Sequence, residues 1–228
     1  MDRYVADFRV DVVMCIDATN DMNLFIRKLK VVAKDFYQML VTEMAEYDRT
    51  VDTLRVKVIV FRDYRWENEP MVETKFFELP TENEAFVEFI NTIEQRGGGD
   101  PSENALEAIA LALKSDWTTL PSRRRHAVMV FTDAPALAFG KRKDCPNYPA
   151  GMPKSLDELR AWWEGTDENF VSAYQPKAGR LIVFAPNEEP WREMQEWDRY
   201  WHVPVESFLG LDDVEMNEVI SMLAGAIL

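Results

Sequence analysis

The stretch MCIDATNDM, residues 14–22, determines how the rest of the chain is interpreted. Its first residues belong to an apolar run that ends at Ile16, and such a run is typical of a strand buried on both faces. Polar side chains follow at once, with carboxylates at Asp17 and Asp21 and a hydroxyl at Thr19 between them. Because these three residues alternate, their side chains can point to the same side where the strand ends. The stretch therefore predicts a buried strand that presents oxygen atoms at its carboxyl end.

The composition predicts one large core and a strongly acidic surface. The chain has 228 residues, 47% of them hydrophobic, and α/β chains of this length often form a single domain. We therefore expect one domain over residues 1–228. The 40 acidic residues exceed the 26 basic ones, so the net charge of −14 repels nucleic acid and anionic membranes. Neither a nucleic-acid partner nor a membrane partner is expected.

Cysteine usage and hydropathy indicate the compartment. Two cysteines, Cys15 and Cys145, are too few for a disulfide framework in a chain of this length. The first residues lack the apolar core of a secretion signal, and no apolar run is long enough to span a bilayer. These features favour a cytoplasmic location.

Segments with strand character alternate with segments in which apolar residues recur at helical spacing. Predicted strands cover residues 8–16, 54–61, 72–80, 125–133, 179–186 and 203–208, and predicted helices cover 22–44, 82–93, a segment after the glycines at 97–99, 191–197 and 212–228. The third strand ends in Pro80, which suits an edge strand. The alternation predicts an α/β fold, Rossmann-like and doubly wound, with a mostly parallel sheet, helices on both faces and one antiparallel edge strand.

Acidic side chains follow the ends of several predicted strands. The carboxyl ends of parallel strands share one edge of a sheet, which we name the rim, and ligands bind there. Asp17, Thr19 and Asp21 follow the first strand, Asp133 ends the fourth, and Asp100 lies in the loop GGGDPSE before a helix. Carboxylate and hydroxyl oxygens are the ligands of hard cations. The sequence therefore predicts a Mg²⁺ site at the rim, with Mn²⁺ or Ca²⁺ as alternatives.

Three of the acidic residues also suit structural roles. Asp100 begins the sequence DPSE, the pattern of a helix N-cap, so capping and metal contact both stay open for it. Asp21 could in the same way cap the first predicted helix. Asp63, in the motif FRDY after the second strand, is expected to form an ion pair with Arg62 under the rim rather than bind metal.

The order of these motifs resembles that of a von Willebrand factor type A domain. Members of that family carry a metal ion-dependent adhesion site, built from D-x-S-x-S after the first strand, a threonine in a glycine-bearing loop and an aspartate after the fourth strand. In DATND, Asp17 and Thr19 match the first motif and Asp21 replaces its second serine. In GGGDPSENAL, Asp100 stands at the usual threonine, and VFTDAP supplies Asp133. The glycine loop, FRDY and FTDAPA look like the bacterial and alpha-kinase-associated branch of the family.

The resemblance implies a metal-dependent protein-interaction module and, in this branch, a subunit of a multi-protein stress-response or defence system. Its partner would be another protein, bound through the metal-bearing rim. In the family, an acidic side chain of the partner often completes the coordination of the metal. Asp21 and Asp100 add two charges where hydroxyls are usual. The site is therefore expected to hold metal more firmly and to attract an acidic ligand less.

A metal-assisted hydrolase is the alternative, for example a phosphoesterase that uses Asp17 as its nucleophile. Haloacid-dehalogenase-like enzymes of that kind carry D-x-D, whereas Thr19 stands at the place of the second aspartate here. The chain lacks the phosphate-binding motif GxxxxGK[ST], and no histidine is expected near the rim to activate a hydroxyl nucleophile. A binding module that is not an enzyme is therefore favoured.

The segment after the fourth strand is long and irregular, and we name residues 134–158 the rim loop. Loops of this length in a compact domain are usually functional. The loop carries the only basic cluster near the rim, Lys141, Arg142 and Lys143, which could meet an acidic or phosphorylated partner or merely solubilise the loop. Adjacent tryptophans follow, and neighbours on a helix cannot both face one core. One of them is therefore expected to be exposed, and Trp162 is the candidate for partner contact.

Overall fold

A seven-stranded mixed sheet forms the centre of the described part of the chain. The structure is a computed structural model, and it describes residues 8–97, 102–120, 123–206 and 211–228. The strands are β1 (Phe8–Asp17), β2 (Thr53–Phe61), β3 (Met71–Glu73), β4 (Phe77–Leu79), β5 (Arg123–Phe131), β6 (Gly179–Pro186) and β7 (Tyr200–Val205). Their order across the sheet is β3-β2-β1-β5-β6-β7, and β4 also pairs with β2. Only β3 and β4 are antiparallel to their neighbour, which confirms the predicted fold class.

The antiparallel edge consists of two short strands rather than the single strand predicted over residues 72–80. Between β3 and β4, the Thr74 hydroxyl accepts a hydrogen bond from the Val58 N–H at 2.9 Å. The Thr74 N–H donates to the Val58 carbonyl at 3.0 Å. A side chain thus occupies a ladder position that a backbone carbonyl fills in a regular strand pair, and the edge strand is interrupted there.

Helices cover the sheet on both sides. Those of the described ranges are α1 (Asn23–Val32), α2 (Phe36–Glu46), α3 (Asn83–Thr92), α4 (Ala105–Leu113), α5 (Leu156–Glu164) and α6 (Met216–Ile227). The predicted helix 22–44 is divided into α1 and α2 by a 3-10 turn at Ala33–Asp35. Its buried face continues across the turn, because Ala33 and Phe36 are both buried. The sequence pattern therefore predicts the buried face of this segment correctly but does not predict the 3-10 turn that divides it.

Two hydrophobic layers enclose the sheet. Helices α1, α2, α3 and α6 cover one face, against strand residues such as Met14 and Ile16. Helices α4 and α5 cover the other face, against Val13 and Cys15. Consecutive residues of β1 therefore alternate between two apolar layers, which is why this strand is apolar almost throughout. None of the helices in the described ranges is both long and apolar enough to cross a bilayer.

Both adjacent tryptophans of α5 are buried, so the expectation that one of them is exposed is wrong. The Trp163 ring stacks on Tyr174 at 5.3 Å between centroids, within the layer under α5. The Trp162 ring stacks on Phe170 at 4.1 Å, and its Nε1–H donates to Asp167 at 3.0 Å. The segment after α5 folds back over the helix and supplies a second apolar surface, which a helix beside a single core would lack. Trp162 is therefore covered and is not available as a surface contact.

His126 is a buried, neutral histidine in β5. Its ring stacks on Trp117 at 4.8 Å between centroids. One ring nitrogen lies 2.9 Å from the Thr118 carbonyl, to which it donates, and Nδ1 accepts the Gln175 N–H at 3.2 Å. This pairing fixes the neutral tautomer. Burial lowers the pKa of His126 to about 4 from an ordinary value of 6.5.

The depressed pKa of His126 predicts a loss of stability in mild acid. The unfolded chain takes up a proton near pH 6.5, whereas the folded protein takes it up only near pH 4. The stabilisation from the neutral ring is therefore present above pH 6.5 and is lost as the pH falls toward 4, by about 3 kcal/mol in total. Urea unfolding of wild type and His126→Gln across this range gives the free energy of unfolding of each protein as a function of pH. The difference between the two curves isolates the contribution of His126, because all other groups titrate in both proteins. Equal pH slopes for the two proteins would contradict the expectation.

Candidate metal-binding site

Asp17 and Asp133, two of the predicted rim residues, lie near each other where the order of the strands reverses. Strand β1 lies between β2 and β5, parallel to both, with Ile16 in register with Phe131 and Asp17 in register with Phe61. The chain therefore leaves β1 and β5 side by side at their carboxyl ends. In open α/β sheets this position forms a crevice that binds ligands. It places Asp17 beside the residues that directly follow β5, which include Asp133.

Asp17 is a fully buried carboxylate held by three hydrogen bonds. Its Oδ1 accepts the Thr19 N–H at 2.9 Å and the Thr19 hydroxyl at 2.7 Å. Its Oδ2 accepts the Thr132 hydroxyl at 2.7 Å. Burial nevertheless raises the pKa of Asp17 from 3.8 to about 6, against the lowering effect of these bonds, and the nearby Asp133 adds to the rise. The carboxylate is well oriented, but among the described residues it forms no ion pair.

Asp133 carries the same imbalance at the edge of the crevice. Burial raises its pKa, and the negative charges of Asp21 and Asp212 raise it further. Among the described residues, no lysine or arginine forms an ion pair with any of these three carboxylates. Asp21 lies within the 3-10 turn Asn20–Met22, and its side chain caps neither that turn nor α1. Negative charge thus accumulates at the rim, and no ion pair among the described residues neutralises it.

Two members of this site are not identified by the sequence motifs. Thr132 directly precedes Asp133, and a hydroxyl at the end of a strand next to a motif aspartate was a usable signal. Asp212 lies in the segment before α6, about 80 positions along the chain from Asp133, and no motif marks it. Asp100, a predicted ligand or helix cap, lies outside the described residues.

The donor chemistry of the rim fits a hard divalent cation. Within the described ranges, no three acidic, histidine or cysteine side chains converge closely enough to form a metal cluster on their own. The predicted set is Asp17, Thr19, Asp21, Asp100 and Asp133, and its three described carboxylates, Asp17, Asp21 and Asp133, do not form such a cluster. Asp17 and Asp133, with the hydroxyl of Thr19, remain the candidate ligands. The raised pKa values of Asp17 and Asp133 indicate a deficit of positive charge at this place. Oxygen donors with excess negative charge are the environment that Mg²⁺ and Ca²⁺ prefer.

The buried Asp63 pairs with Arg142 of the rim loop, so the expected pair with Arg62 is wrong. Arg142 Nε lies 3.1 Å from Oδ1 and Nη2 lies 2.9 Å from Oδ2, a bidentate geometry. Arg62 instead donates to the Glu94 carbonyl at 2.6 Å. Successive residues beyond a strand point to opposite sides, which sends Arg62 toward α3 and Asp63 toward the rim loop. Arg142 therefore points inward, with 13% of its side chain exposed, and does not share the surface with its two lysine neighbours.

A second contact fastens the rim loop to α4. The Tyr148 hydroxyl donates to Glu107 Oε1 at 2.8 Å, and the Tyr148 ring lies 5.3 Å from that of Tyr64. Glu107 is buried, and this burial raises its pKa to about 7. Together with the Asp63–Arg142 pair, this contact ties the loop to the sheet and to the helix below it. Lys141 and Lys143 remain exposed.

A model of the von Willebrand factor A domain family matches residues 11–145, more than half of the 228-residue chain. The chain therefore belongs to the von Willebrand factor A domain family. Domains of this family typically act as protein-interaction modules and are usually not catalytic. The matched range contains the predicted ligands from Asp17 to Asp133. A comparison with curated protein sequences gives no match.

Solved structures with a similar fold include a bacterial surface adhesin. The pilus adhesin SpaC from Lactobacillus rhamnosus GG, in its open conformation, has a TM-score of 0.55 at 11% identity over 99% of this chain and 30% of that chain. A von Willebrand factor type A structure from Catenulispora acidiphila has a TM-score of 0.48 at 13% identity over 97% of this chain and 44% of that chain. The present chain thus spans less than half the length of either. At such low identity, the likeness to SpaC shows the fold alone.

Proposed function

We propose that this protein is a metal-dependent protein-interaction module, and that it serves as a subunit of a multi-protein stress-response or defence system. A Mg²⁺-type ion would be held by Asp17, Thr19 and Asp133, with Asp21 and Asp100 adding negative charge. The observation that carries the proposal is that two neighbouring carboxylates, Asp17 and Asp133, lie at the strand-order reversal without an ion pair among the described residues. A bound ion would supply the missing positive charge and an attachment point for an oxygen atom of the partner.

The residues around Asp17 have positioning roles in this proposal. Thr19 and Thr132 donate to opposite oxygens of the Asp17 carboxylate and thereby fix its plane. Carboxylates that are oriented by neighbouring donors hold a metal better than freely rotating ones. The partner would approach over the rim and the exposed part of the rim loop, where Lys141 and Lys143 lie.

The geometry of Asp17 favours binding over the hydrolase alternative. Both Asp17 oxygens accept hydrogen bonds from threonines, which fix the carboxylate in one orientation, whereas a nucleophilic carboxylate must be able to approach the phosphorus atom. His126 lies within β5, stacked on Trp117 and hydrogen-bonded on both sides of its ring. A test for turnover of a generic phosphate ester with Mg²⁺ or Mn²⁺ separates the two functions. Turnover that is lost in Asp17→Asn would favour the hydrolase.

Calorimetric titration of metal-free protein with Mg²⁺ is expected to show one saturable site. Asp133→Ala removes a direct ligand and should abolish measurable binding. Thr132→Val preserves shape but removes the donor to Asp17, and the loss of such an outer contact typically weakens metal affinity by about 10- to 100-fold. Asp144→Asn, which removes an exposed carboxylate of the rim loop, is the control and should bind as wild type does. Equal binding by wild type and Asp133→Ala would show that the site is assigned to the wrong residues.

The interaction function itself is tested by partner capture. Tagged wild type, Asp133→Ala and Glu46→Gln are used as baits in extracts that contain Mg²⁺ or EDTA, where Glu46 is an exposed residue at the end of α2, outside the rim loop. We expect one set of proteins to be retained by wild type and Glu46→Gln with Mg²⁺ only. Direct titration of a purified partner then follows. Binding that resists both EDTA and Asp133→Ala would place the interface away from the metal.

A further inference from the structure

The rim loop encloses a cavity of about 540 Å³ that is lined by lysines. Lys141, Lys143 and Lys154 contribute to its wall, and Tyr148 lies among its remaining lining residues. Within the described ranges, no aspartate or glutamate lines it. The site thus gathers three positive side chains in a chain whose net charge is −14. A surface of this kind attracts anions locally although the protein as a whole repels them.

The three ammonium groups are not used by the fold. All three lysines are exposed, and among the described residues none of them forms an ion pair. Lys114 behaves differently, because its ammonium donates to the carbonyls of Ala150 and Gly151, each at 3.2 Å. Lys114 therefore supports the wall of the cavity from below, whereas the other three lysines are available to a ligand.

Arg142 has a different role from the two lysines beside it in the basic cluster. It turns inward to Asp63, and its two neighbours, Lys141 and Lys143, both line the cavity. Gly140 allows the turn that precedes them, with a φ of +78° that side-chain-bearing residues rarely adopt. An apparently continuous basic cluster is thus one structural arginine between two ligand-facing lysines.

The opposite wall is held by the start of α5 and by Tyr148. Ser155 caps α5 by accepting the Glu158 N–H, and the Glu158 side chain accepts the Lys154 N–H at 2.8 Å. The backbone of Lys154 is therefore fixed while its ammonium stays free to move. The Tyr148 hydroxyl donates to Glu107 and accepts from the Gly140 N–H, so it holds the cavity wall in place and is not a donor for a ligand.

We propose that this cavity binds the phosphate monoester of a phosphorylated side chain on the protein partner. The inference rests on the proposed function in one respect, namely that the partner is a protein that docks at the rim. A phosphomonoester carries a charge of about −1.5 to −2 at pH 7 and three acceptor oxygens, which suits several ammonium donors. A carboxylate offers a single charge and two oxygens. Because electrostatic attraction grows with the charge of the ligand, the three ammonium groups favour the dianionic phosphate over a singly charged carboxylate at this cavity.

The experiment uses the whole chain, stripped of metal by dialysis, and three acetylated and amidated tripeptides as probes. Gly-phosphoserine-Gly is compared with Gly-Ser-Gly and Gly-Glu-Gly by NMR titration at low ionic strength. We expect saturable binding of the phosphorylated peptide without metal, and at least tenfold weaker binding of the other two. Lys141→Gln/Lys143→Gln should weaken phosphopeptide binding at least tenfold. The matched control, Lys34→Gln/Lys177→Gln, removes the same charge from two exposed lysines elsewhere and should bind as wild type does.

Several results would overturn the proposal. Equal affinities for the phosphorylated and glutamate peptides would show that the cavity selects acidic peptides in general, and equal weakening in both double variants would indicate only a net-charge effect. Binding that requires Mg²⁺ and is lost in Asp133→Ala would place the phosphate at the metal. Because the expected binding is independent of metal, a failed Mg²⁺ titration contradicts the proposed function alone, whereas a failed phosphopeptide titration contradicts this inference alone.

Discussion

Arg142→Ala is expected to lower the free energy of unfolding by up to about 3–5 kcal/mol, the cost of removing one member of a buried ion pair. Asp63 has only 1% of its side chain exposed, and Arg142 binds both of its oxygens. The melting temperature should fall on the order of 10 °C for a chain of this size. The rim loop should lose protection at the same time, because one of its ties to the sheet is removed. Chemical unfolding measures the first effect, and hydrogen exchange over residues 134–158 measures the second.

Neighbouring substitutions separate this ion pair from a general charge effect. Lys141→Ala removes the same charge one position earlier from an exposed side chain and should change stability by no more than about 0.5 kcal/mol. Arg142→Lys keeps the charge but loses the bidentate geometry, so an intermediate loss is expected. The double variant Asp63→Leu/Arg142→Met removes both charges and should recover part of the stability. Equal stability of Arg142→Ala and Lys141→Ala would show that the pair is not maintained in solution.

The central strands and the rim could be predicted because local patterns determine them. Strands β1, β2, β5 and β6 are short apolar runs bounded by polar residues, and each is found within about two residues of its predicted ends. Once these strands are parallel, their carboxyl ends must share an edge, which brings Asp17 and the residues after β5 together. The position of Thr19 on the same side as Asp17 is predicted by the alternation of side chains at the end of β1. This part of the site needs no long-range information beyond the direction of the strands.

The contacts of the rim loop could not be predicted, since their partners are far apart in sequence. Arg142 and Asp63 are 79 positions apart, and Tyr148 and Glu107 are 41 positions apart. FRDY places an arginine directly beside the aspartate, so the local pattern favours the wrong partner. Only the folded loop shows that Arg62 leaves toward Glu94 and that a distant arginine replaces it.

Helix α5 has clear start and end signals in the sequence, but its adjacent tryptophans obscure them. Ser155 with Glu158 is a capping pattern, and Gly165, with a φ of +73°, is a typical helix end. The adjacent tryptophans appear to contradict a helix beside one core, because they cannot face the same side. The structure resolves the conflict with a returning segment that carries Phe170 onto Trp162. At residues 191–197 the prediction is wrong in the opposite direction. The helical spacing of apolar residues predicts a helix there, whereas the structure has only the 3-10 turn Glu193–Glu196.

Asp17→Asn is expected to stabilise the metal-free protein while removing its response to Mg²⁺. Burial raises the pKa of Asp17 from 3.8 to about 6, so at neutral pH the folded protein holds an ionised group that its environment disfavours. The corresponding cost is about 3 kcal/mol. It is absent below pH 3.8, where the group is protonated in both states, grows between pH 3.8 and 6, and is constant above that range. Asparagine keeps an acceptor for Thr19 and a partner for the Thr132 hydroxyl without the charge.

Thermal unfolding of the two proteins, with and without metal, measures both halves of this expectation. In metal-free buffer above pH 6, Asp17→Asn should have the higher melting temperature, and the difference should vanish toward pH 4. Mg²⁺ at 100 times its dissociation constant should add about 2.7 kcal/mol to the stability of wild type and nothing to that of the variant. Asp144→Asn, the exposed control, should follow wild type in every condition. A metal-free Asp17→Asn protein that is less stable than wild type at pH 7 would mean that the carboxylate supports the fold. Asp17 would then be a structural residue. A residue retained for metal binding is instead expected to destabilise the metal-free fold through its charge, and the bound ion offsets that cost.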